Sequence, residues 1–334
     1  MAYVTDVFFA PPAPRWTSYI AIGDSFTEGL SDEQEPGDFR GWADRLAASL
    51  SRRRVEAGRS PLQYANLAVR GKLLQPILTE QLPQALAAEP DLISIVGGGN
   101  DLLRPGGDPD DLGARLNSAV RAVRARGIDV LLATGMDTRQ AGALLGAMRP
   151  KVGVYNAHIW SIARAHGAYV VDVWGLQALQ DRRMWAPDRV HMSTLGHQRT
   201  AQAALKALDL QPDDPDWTRP LQAAPRLPRG KKMREDVTWL RRDVYPWATR
   251  RLRRSSSGDA RRPKRPTLSV LEGEVLDAEP PTTEPPDAEP PTPQPPHDES
   301  PAADRPHETA PGENAPDEKA PHEVPDSGGA DDRH

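Results

Sequence analysis

The chain has 334 residues with 42 Lys+Arg, 47 Asp+Glu and no cysteine, which excludes disulfide bonds, thiolate catalysis and cysteine-bound metals. Its net charge of −5 conceals a strong segregation, because residues 219–265 carry 16 Lys+Arg and 4 Asp+Glu, whereas residues 272–334 carry 3 and 18. These two segments can attract each other, or the basic one can meet an anionic partner.

Strands and helices are predicted to alternate along the first two thirds of the chain. The predicted strands are residues 18–23, 63–68, 91–96, 129–133 and 168–173. The predicted helices are residues 44–54, 77–88, 112–126, 149–166 and 194–208, the last with Ser193 as its N-cap. Alternation of this kind favours a parallel sheet that is covered by helices on both faces.

Composition divides the chain into four parts. They are a proline-rich leader (residues 1–17), a folded domain (18–210), a basic, partly helical segment rich in Trp and Arg (211–266) and a disordered tail (267–334). Residues 272–334 contain 15 prolines and few large apolar side chains, so they cannot bury enough apolar surface to offset their ordering entropy. The first residues lack the features of a secretory signal, and no run of about 18 apolar residues predicts a membrane span, so a soluble, cytoplasmic protein is expected.

A serine follows the first predicted strand. The apolar run from Tyr19 to Ile22 leads into Gly23-Asp24-Ser25-Phe26-Thr27-Glu28-Gly29. A strand that breaks there presents the hydroxyl of Ser25 at the carboxyl end of a sheet, where active sites of open α/β folds lie. Because serine is also a common turn residue, Ser25 is a nucleophile candidate only if a base, a carboxylate and oxyanion donors accompany it.

Asp188 and His191 lie three residues apart, shortly before the last predicted helix. A histidine there can act as the general base for a serine, and the aspartate can fix the imidazole tautomer and stabilise the imidazolium. On spacing alone, an Asp and a His that only decorate a loop are the simpler interpretation.

Gly71 and Asn100 are candidates for holding an oxyanion. A glycine after a strand lets its backbone N–H approach a ligand closely, and an asparagine amide can donate to the same oxygen. The alternatives are a plain turn at Gly71 and a loop cap at Asn100. The glycines at 97–99 lack the Lys-Ser/Thr of a P-loop and the spacing of a dinucleotide fingerprint, which argues against nucleotide binding.

Together these blocks resemble the SGNH hydrolase superfamily, also called the GDSL esterase/lipase family. In chain order the blocks are Gly23-Asp24-Ser25, Gly71 at the end of Asn66-Leu-Ala-Val-Arg-Gly71, Gly98-Gly99-Asn100-Asp101, and Asp188-Arg189-Val190-His191. The resemblance covers about residues 18–208. It implies a flavodoxin-like three-layer α/β/α sandwich with a central parallel sheet.

The resemblance also implies a chemistry. Ser25 would attack an acyl carbonyl, with His191 as the base and Asp188 orienting it. The backbone N–H groups of Ser25 and Gly71 and the side chain of Asn100 would hold the oxyanion. We therefore expect a serine-dependent carboxylic ester hydrolase that works through an acyl-enzyme on a small or medium acyl ester of a small molecule, a lipid or a sugar.

Further expectations concern the residues around this set. Asp24 and Asp101 would keep the loops in shape, and Arg70, next to Gly71, is expected to bias substrate choice. No metal or organic cofactor is needed. An ordinary α/β-hydrolase is disfavoured because its serine lies in Gly-x-Ser-x-Gly well inside the chain and its acid is separated from its histidine.

The alternatives within the enzyme class are an acyltransferase and a carbohydrate O-deacetylase. An alternative from another class is a binding protein that acts through its basic segment. In residues 231–254, apolar residues follow helical spacing; they are Met233, Val237, Leu240, Val244 and Trp247. Pro246 within this stretch should kink or interrupt the helix. A helix that packs this face on the domain is favoured over peripheral contact with an anionic membrane, and nucleic acid is disfavoured.

Other histidines and tryptophans are expected to have structural roles. The histidines at 158, 166 and 197 lie in predicted helices, and the tryptophans at 42, 160 and 174 are expected in the core or at its rim. Trp185, three residues before Asp188, is a candidate for lining the acyl or alcohol pocket.

Overall fold

A computed structural model describes residues 14–35, 38–140, 143–222, 229–239, 241–242, 258 and 261–271. The chain divides into two units, residues 1–283 and 284–334, and every described residue belongs to the first. In chain order the described strands are β1 (Ser18–Gly23), β2 (Glu33–Glu35), β3 (Asp38–Phe39), β4 (Gln63–Asn66), β5 (Leu92–Val96), β6 (Asp129–Ala133), β7 (Tyr169–Val171) and β8 (Arg265–Val270).

The main sheet has six strands in the order β7-β6-β5-β1-β4-β8. The first five are parallel, and β1 lies at the centre, with Ile20 beside Ala65 of β4 and Ile93 of β5. The five parallel strands have the order of flavodoxin-like sheets. The predicted α/β fold is therefore confirmed, with one addition: β8 pairs antiparallel with β4 and closes that edge.

Helices lie on both faces of the sheet. They are α1 (Ser25–Glu28), α2 (Trp42–Glu56), α3 (Leu74–Pro76), α4 (Leu82–Ala87), α5 (Gly99–Leu102), α6 (Pro109–Arg124), α7 (Ala143–Gly146), α8 (Arg149–His166), α9 (Thr194–Ala207) and α10 (Arg229–Trp239). A π-helical turn, Ile77–Gln81, joins α3 to α4, and short 3₁₀ turns lie at Thr138–Gln140, Gln177–Gln180 and Arg182–Met184. The predicted strands and helices coincide with these elements, and Ser193 caps α9 by accepting from Gly196 N.

Two apolar cores lie on opposite faces of the sheet, because side chains alternate along each strand. On β1, Tyr19 and Ala21 belong to the core that contains Trp42 and other residues of α2 and α9. Ile20 and Ile22 of the same strand belong to the second core, which α6 and α8 cover. The candidate site residues follow the carboxyl ends of the central strands.

Residues on both sides of the predicted domain make contacts with it. The end of the leader is packed, because Trp16 is only 4 % exposed and its indole donates to Asp129 Oδ2 at 2.8 Å. Beyond residue 210, Asp213 accepts from Arg53 at 2.7 Å and the buried Asp214 pairs with Arg199. A hydrogen bond on one side and ion pairs on the other therefore tie flanking residues to the predicted domain.

The start of the segment that was expected to be disordered, from residue 267, belongs to a strand. Arg265–Val270 form strand β8, and Leu271 N donates to Leu62 O at 3.1 Å. Antiparallel pairing with β4 supplies the backbone hydrogen bonds of β8, and composition alone does not reveal this pairing. The rest of the predicted tail, from residue 272, lies outside the described residues.

The described part of the basic segment is only partly packed. Trp239, at the end of α10, donates its indole N–H to Asp188 O at 2.7 Å, as expected for a helix that contacts the domain. Met233 and Val237 instead are 65 % and 41 % exposed, so the predicted packed face does not include them. Pro246 and the predicted kink lie outside the described residues. In the part of the chain that the structure describes, helices long and apolar enough to cross a membrane are absent.

His197 gives the fold a built-in sensitivity to acid. Its ring lies in the core, where Nδ1 accepts from Trp42 N at 3.2 Å and Nε2 is 3.3 Å from Leu30 O. Burial lowers the pKa of His197 from 6.5 to about 3. The unfolded chain takes up this proton below pH 6.5 and the folded protein does not, so stability is complete above pH 6.5 and falls towards pH 3, by at most about 1.4 kcal/mol per pH unit.

The variant His197→Asn tests this prediction. It should be less stable than wild type at about pH 8, because the ring contacts are lost, and should lose less further stability on going to about pH 4.5. Urea unfolding at both pH values measures the difference, with His158→Asn on the half-exposed face of α8 as the control. Equal acid losses in the wild type and in His197→Asn would contradict the assignment.

Candidate active site

Ser25 sits where the central strand turns into a short helix. Gly23, the last residue of β1, lies so close to β5 that a Cβ atom would be 2.5 Å from Val96 O, which only glycine allows. Gln81, in the π-helical turn, binds both backbone groups of Gly23, at 2.8 and 3.0 Å. Asp24 then caps α1 by accepting from Phe26 N at 3.1 Å, which leaves Ser25 as the first helical residue.

Asp188, His191 and Ser25 form one hydrogen-bonded chain. His191 Nδ1 is 2.6 Å from Asp188 Oδ2, and His191 Nε2 is 3.0 Å from Ser25 Oγ. The ring of Phe26 lies 6.4 Å from the imidazole, centroid to centroid. The structure thus brings Ser25 together with Asp188 and His191, which lie 163 and 166 positions further along the chain.

The loop that carries Asp188 and His191 is shaped by its own carboxylate. Asp188 Oδ1 accepts from the backbone N–H groups of Val190 at 2.9 Å and His191 at 3.0 Å, and Arg189 between them has a left-handed φ of 63°. Burial favours a higher pKa for Asp188, but the hydrogen bond and charge of His191 and the two backbone N–H groups outweigh it, so the pKa lies below its usual value. Asp188 is therefore held in the charged form that can orient an imidazole.

Gly71 and Asn100 follow the strands on either side of β1. Gly71 comes after β4 and has a φ of 75°, a conformation that glycine adopts without strain. Asn100 lies in α5, directly after β5. Because β4, β1 and β5 are parallel neighbours, their carboxyl ends place Gly71, Ser25 and Asn100 along one edge of the sheet.

The amide of Asn100 is already engaged in the free protein. Its Nδ2 donates to Asp24 Oδ2 at 3.2 Å and to Lys72 O at 3.0 Å. Asp24 thereby links the turn that carries Ser25 to the asparagine. Asp101 plays a similar part, since its Oδ2 accepts from Leu74 N at 2.9 Å and ties α5 to α3. Burial raises the pKa of Asp101, against the effect of that backbone bond.

Asp24 carries a charge that lowers the stability of the folded protein. Burial raises its pKa from 3.8 to about 6, although the bond from Phe26 N and the charge of His191 act in the opposite direction. A carboxyl group with a raised folded-state pKa destabilises the protein as the pH rises through that window, and the whole cost is present above about pH 6.

We expect Asp24→Asn to be more stable than wild type by about 3 kcal/mol at about pH 8, and to differ little from it at about pH 4. Thermal or urea unfolding at both pH values measures the effect, with the exposed Asp38→Asn as the matched control. The kcat of Asp24→Asn should fall, because the Asn100 amide loses a charged acceptor. An equal gain at both pH values, or no gain at pH 8, would sink this prediction.

The sequence predicted that Arg70 biases substrate choice, but in the structure this residue is buried and paired with a carboxylate. Arg70 is 8 % exposed, and its guanidinium forms an ion pair with the carboxylate of Glu28, in which Nε donates to Oε1 at 2.9 Å. The same carboxylate accepts from Arg70 N at 2.6 Å, and the guanidinium lies over the ring of Phe39 at 4.8 Å. Because Glu28 neutralises the Arg70 charge, Arg70 is not expected to bias substrate choice. Its pairing with Glu28 instead links α1 to the loop that contains Gly71.

Most of the remaining predicted residues have structural contacts, but Trp160, which was expected in the core or at its rim, is 47 % exposed. Trp185 is half-buried and donates to Leu179 O at 2.7 Å, while Arg149 stacks over Trp174. His158 and His166 are bonded to neighbouring polar side chains of α6. Sequence reasoning assigned no role to Glu28 or Gln81. The pairing of Glu28 with Arg70 spans 42 positions, and no local pattern signals it.

Solved structures resemble this fold. The protein LAE5, an alpha/beta hydrolase enzyme from the metagenome of Lake Arreo, Spain, is 24% identical, with 58% of this chain and 95% of that chain covered and a TM-score of 0.48. A variant of Axe2, an acetyl xylan esterase from Geobacillus stearothermophilus, is 22% identical, with 58% and 95% covered and a TM-score of 0.50. No curated protein matches the chain.

A family model matches the part of the chain that holds these residues. The match runs over residues 21–199, more than half of the chain, and so includes Ser25, Gly71, Asn100, Asp188 and His191. The family is described as the GDSL-like Lipase/Acylhydrolase family, which agrees with the resemblance of the four sequence blocks. The chain therefore belongs to the GDSL-like Lipase/Acylhydrolase family.

Proposed function

We propose that this hydrolase-family protein is a serine esterase that cleaves carboxylic esters through an acyl-enzyme. The observation that carries the proposal is the chain of hydrogen bonds from Asp188 Oδ2 through the His191 ring to Ser25 Oγ, at 2.6 and 3.0 Å. These distances are within the reach that nucleophile and base require. A loop that only decorated the surface would have no reason to aim both ring nitrogens in this way.

In the acylation step, Ser25 Oγ attacks the ester carbonyl carbon while His191 Nε2 takes the hydroxyl proton. The charge of Asp188 stabilises the imidazolium that forms. The carbonyl oxygen becomes an oxyanion, which the N–H groups of Ser25 and Gly71 and the amide of Asn100 would hold. The tetrahedral intermediate then expels the alcohol oxygen, which receives the proton from His191, and an ester of Ser25 remains.

In the deacylation step, water takes the place of the alcohol. The oxygen of the water attacks the carbonyl carbon of the Ser25 ester while His191 accepts a proton from the water. His191 then donates that proton to Ser25 Oγ when the acid leaves. Free enzyme and a carboxylic acid result. If another alcohol entered in place of water, the same steps would give acyl transfer, so the fate of the acyl group depends on which nucleophile reaches the site.

We expect a small or medium acyl group. The half-buried Phe26 follows the nucleophile, and its ring lies 6.4 Å from that of His191, so an apolar surface adjoins the reacting atoms. Such a surface favours the apolar chain of an acyl group over a charged one.

Hydrolysis of p-nitrophenyl acetate, butyrate and octanoate tests the proposal. The wild type should release p-nitrophenol and Ser25→Ala should not, while Ser118→Ala, on the exposed face of α6, should match the wild type. The ranking of the three esters gives the depth of the acyl pocket. Activity of Ser25→Ala equal to that of Ser118→Ala would refute the serine mechanism.

A further inference from the structure

Lys264, in the basic segment, contacts the short helix α1 that begins at Ser25; we call Gly23–Glu28 the nucleophile turn. Its ammonium donates to three oxygens at 2.6 Å each: Glu28 O, Phe39 O and Asp44 Oδ2. A lysine has three N–H donors, so the group is fully used. Its side chain is only 21 % exposed, although the segment around it is rich in exposed arginines.

The first of these acceptors belongs to the helix that Ser25 begins. Glu28 ends α1, and its carboxylate holds the backbone N–H and guanidinium of Arg70. Arg70 directly precedes Gly71. Through Glu28, Lys264 is therefore connected to both the nucleophile turn and the loop that would supply a second oxyanion donor.

The backbone of the same segment lies against that loop. A Cβ atom on Gly258 would be 2.0 Å from Arg70 O, so only glycine fits at this contact. Strand β8 then pairs with β4, with Arg265 opposite Asn66 at the end of the strand that leads to Gly71. The pairing holds the backbone next to Lys264 in register with the oxyanion loop.

A second contact reaches the other half of the site. The indole N–H of Trp239 donates to Asp188 O at 2.7 Å, and the guanidinium of Arg189 lies over the Trp239 ring at 4.6 Å. Arg189 is the residue with the left-handed φ between Asp188 and His191. The tryptophan therefore contacts the loop at the point where its backbone turns.

We propose that the segment after the hydrolase domain positions both halves of the catalytic machinery, with Lys264 fixing the Ser25 and Gly71 loops and Trp239 fixing the Asp188–His191 loop. This inference rests on the proposed esterase function. Both positioning residues lie outside residues 21–199, the part that the family model matches, so they are features of this chain beyond the family core.

Residues that position catalytic groups act on kcat more than on KM, because substrate is bound by other groups. Small displacements of reacting atoms have large effects, and a misplacement of about 1 Å can cost on the order of 100-fold. Lys264 touches the nucleophile turn only through the backbone of Glu28, so a smaller shift is expected when it is removed. We therefore expect losses of about tenfold in kcat from either contact.

The test uses the full-length protein with p-nitrophenyl acetate as substrate. Lys264→Met keeps the length of the side chain and removes its donors, and Arg262→Met removes an exposed charge two residues away as the control. We expect kcat to fall about tenfold in Lys264→Met with KM unchanged, and to stay near wild type in Arg262→Met. Lys264→Arg, which keeps the charge and several donors, should recover part of the loss.

The contact between Trp239 and Asp188 O is tested in parallel by a more conservative substitution. Trp239→Phe keeps an aromatic ring under Arg189 and removes the donor to Asp188 O, whereas Trp160→Phe changes an exposed tryptophan of α8. We expect a lower kcat at constant KM in the first variant alone. Melting temperatures of all variants show whether each remains folded at the assay temperature, and Trp239→Phe remains informative if Lys264→Met does not fold.

The outcomes separate this inference from the proposed function. If Ser25→Ala is inactive while Lys264→Met and Trp239→Phe behave like their controls, the positioning role is refuted and the esterase stands. A rise in KM at constant kcat would also overturn the positioning role, because it would mean substrate binding. Full activity in Ser25→Ala would instead refute the esterase itself.

Discussion

Replacing His191 with alanine is expected to lower kcat on the order of 10⁶-fold, as much as Ser25→Ala, because nucleophile and base act as one unit. The variant removes the ring nitrogen that lies 3.0 Å from Ser25 Oγ and that we propose takes the hydroxyl proton. The double variant should be no worse than either single one. Hydrolysis of p-nitrophenyl acetate measures the effect, with His158→Ala on α8 as the histidine control.

Asp188→Asn should cost less, roughly 10⁴-fold in kcat, because the base remains but its tautomer and orientation are no longer fixed. The amide still offers an oxygen to Val190 N and His191 N, which the carboxylate binds at 2.9 and 3.0 Å, so the loop should keep its shape. Equal losses in His191→Ala and Asp188→Asn would mean that Asp188 does more than orient the ring. A small loss in His191→Ala would remove the histidine from the mechanism.

Asn100→Ala is expected to lower kcat by about 10²- to 10³-fold with little change in KM, the effect of removing one oxyanion donor. In the free protein the Asn100 amide donates to Asp24 Oδ2 at 3.2 Å and to Lys72 O at 3.0 Å. We expect the longer bond, to Asp24, to be shared with the oxyanion as it forms. A donor whose partner changes in this way favours the transition state over the bound ester.

The measurement is steady-state hydrolysis of p-nitrophenyl acetate and butyrate, with Asn117→Ala on α6 as the matched control. Asn100→Asp is the sharper variant, since it has the same shape, lacks the donor and places a second charge beside Asp24. It should be less active than Asn100→Ala. A rise in KM with unchanged kcat in Asn100→Ala would show uniform binding rather than transition-state stabilisation.

Much of the fold could be predicted because its signals are local. The apolar strands are bounded by Gly and Asp, and the helices have clear periodicity, so β1, β6 and α8 were predicted at the bounds they have. The position of Ser25 at the end of a central strand follows from the same pattern. The geometry that joins Ser25 to His191 depends on the order of strands, which the family resemblance implied and the spacing did not.

Other features could not be predicted, since they depend on contacts between distant residues. Arg70 looked available to substrate because its partner, Glu28, lies 42 positions away. Strand β8 lies in a basic, proline-containing stretch, and it pairs with β4 at what would otherwise be an unpaired edge of the sheet. Lys264 and Trp239 lie among many similar basic and aromatic residues, so nothing in their immediate sequence distinguishes them.

The central claim is that Ser25 carries the acyl group, and trapping a covalent adduct tests it most directly. The full-length protein is treated with a p-nitrophenyl alkylphosphonate, an ester analogue that stops at the tetrahedral stage, and is digested and mapped by mass spectrometry. We predict one adduct, on the peptide that contains Ser25, that forms as activity disappears and is absent from Ser25→Ala. An adduct on another residue, or loss of activity with Ser25 unmodified, would contradict the account.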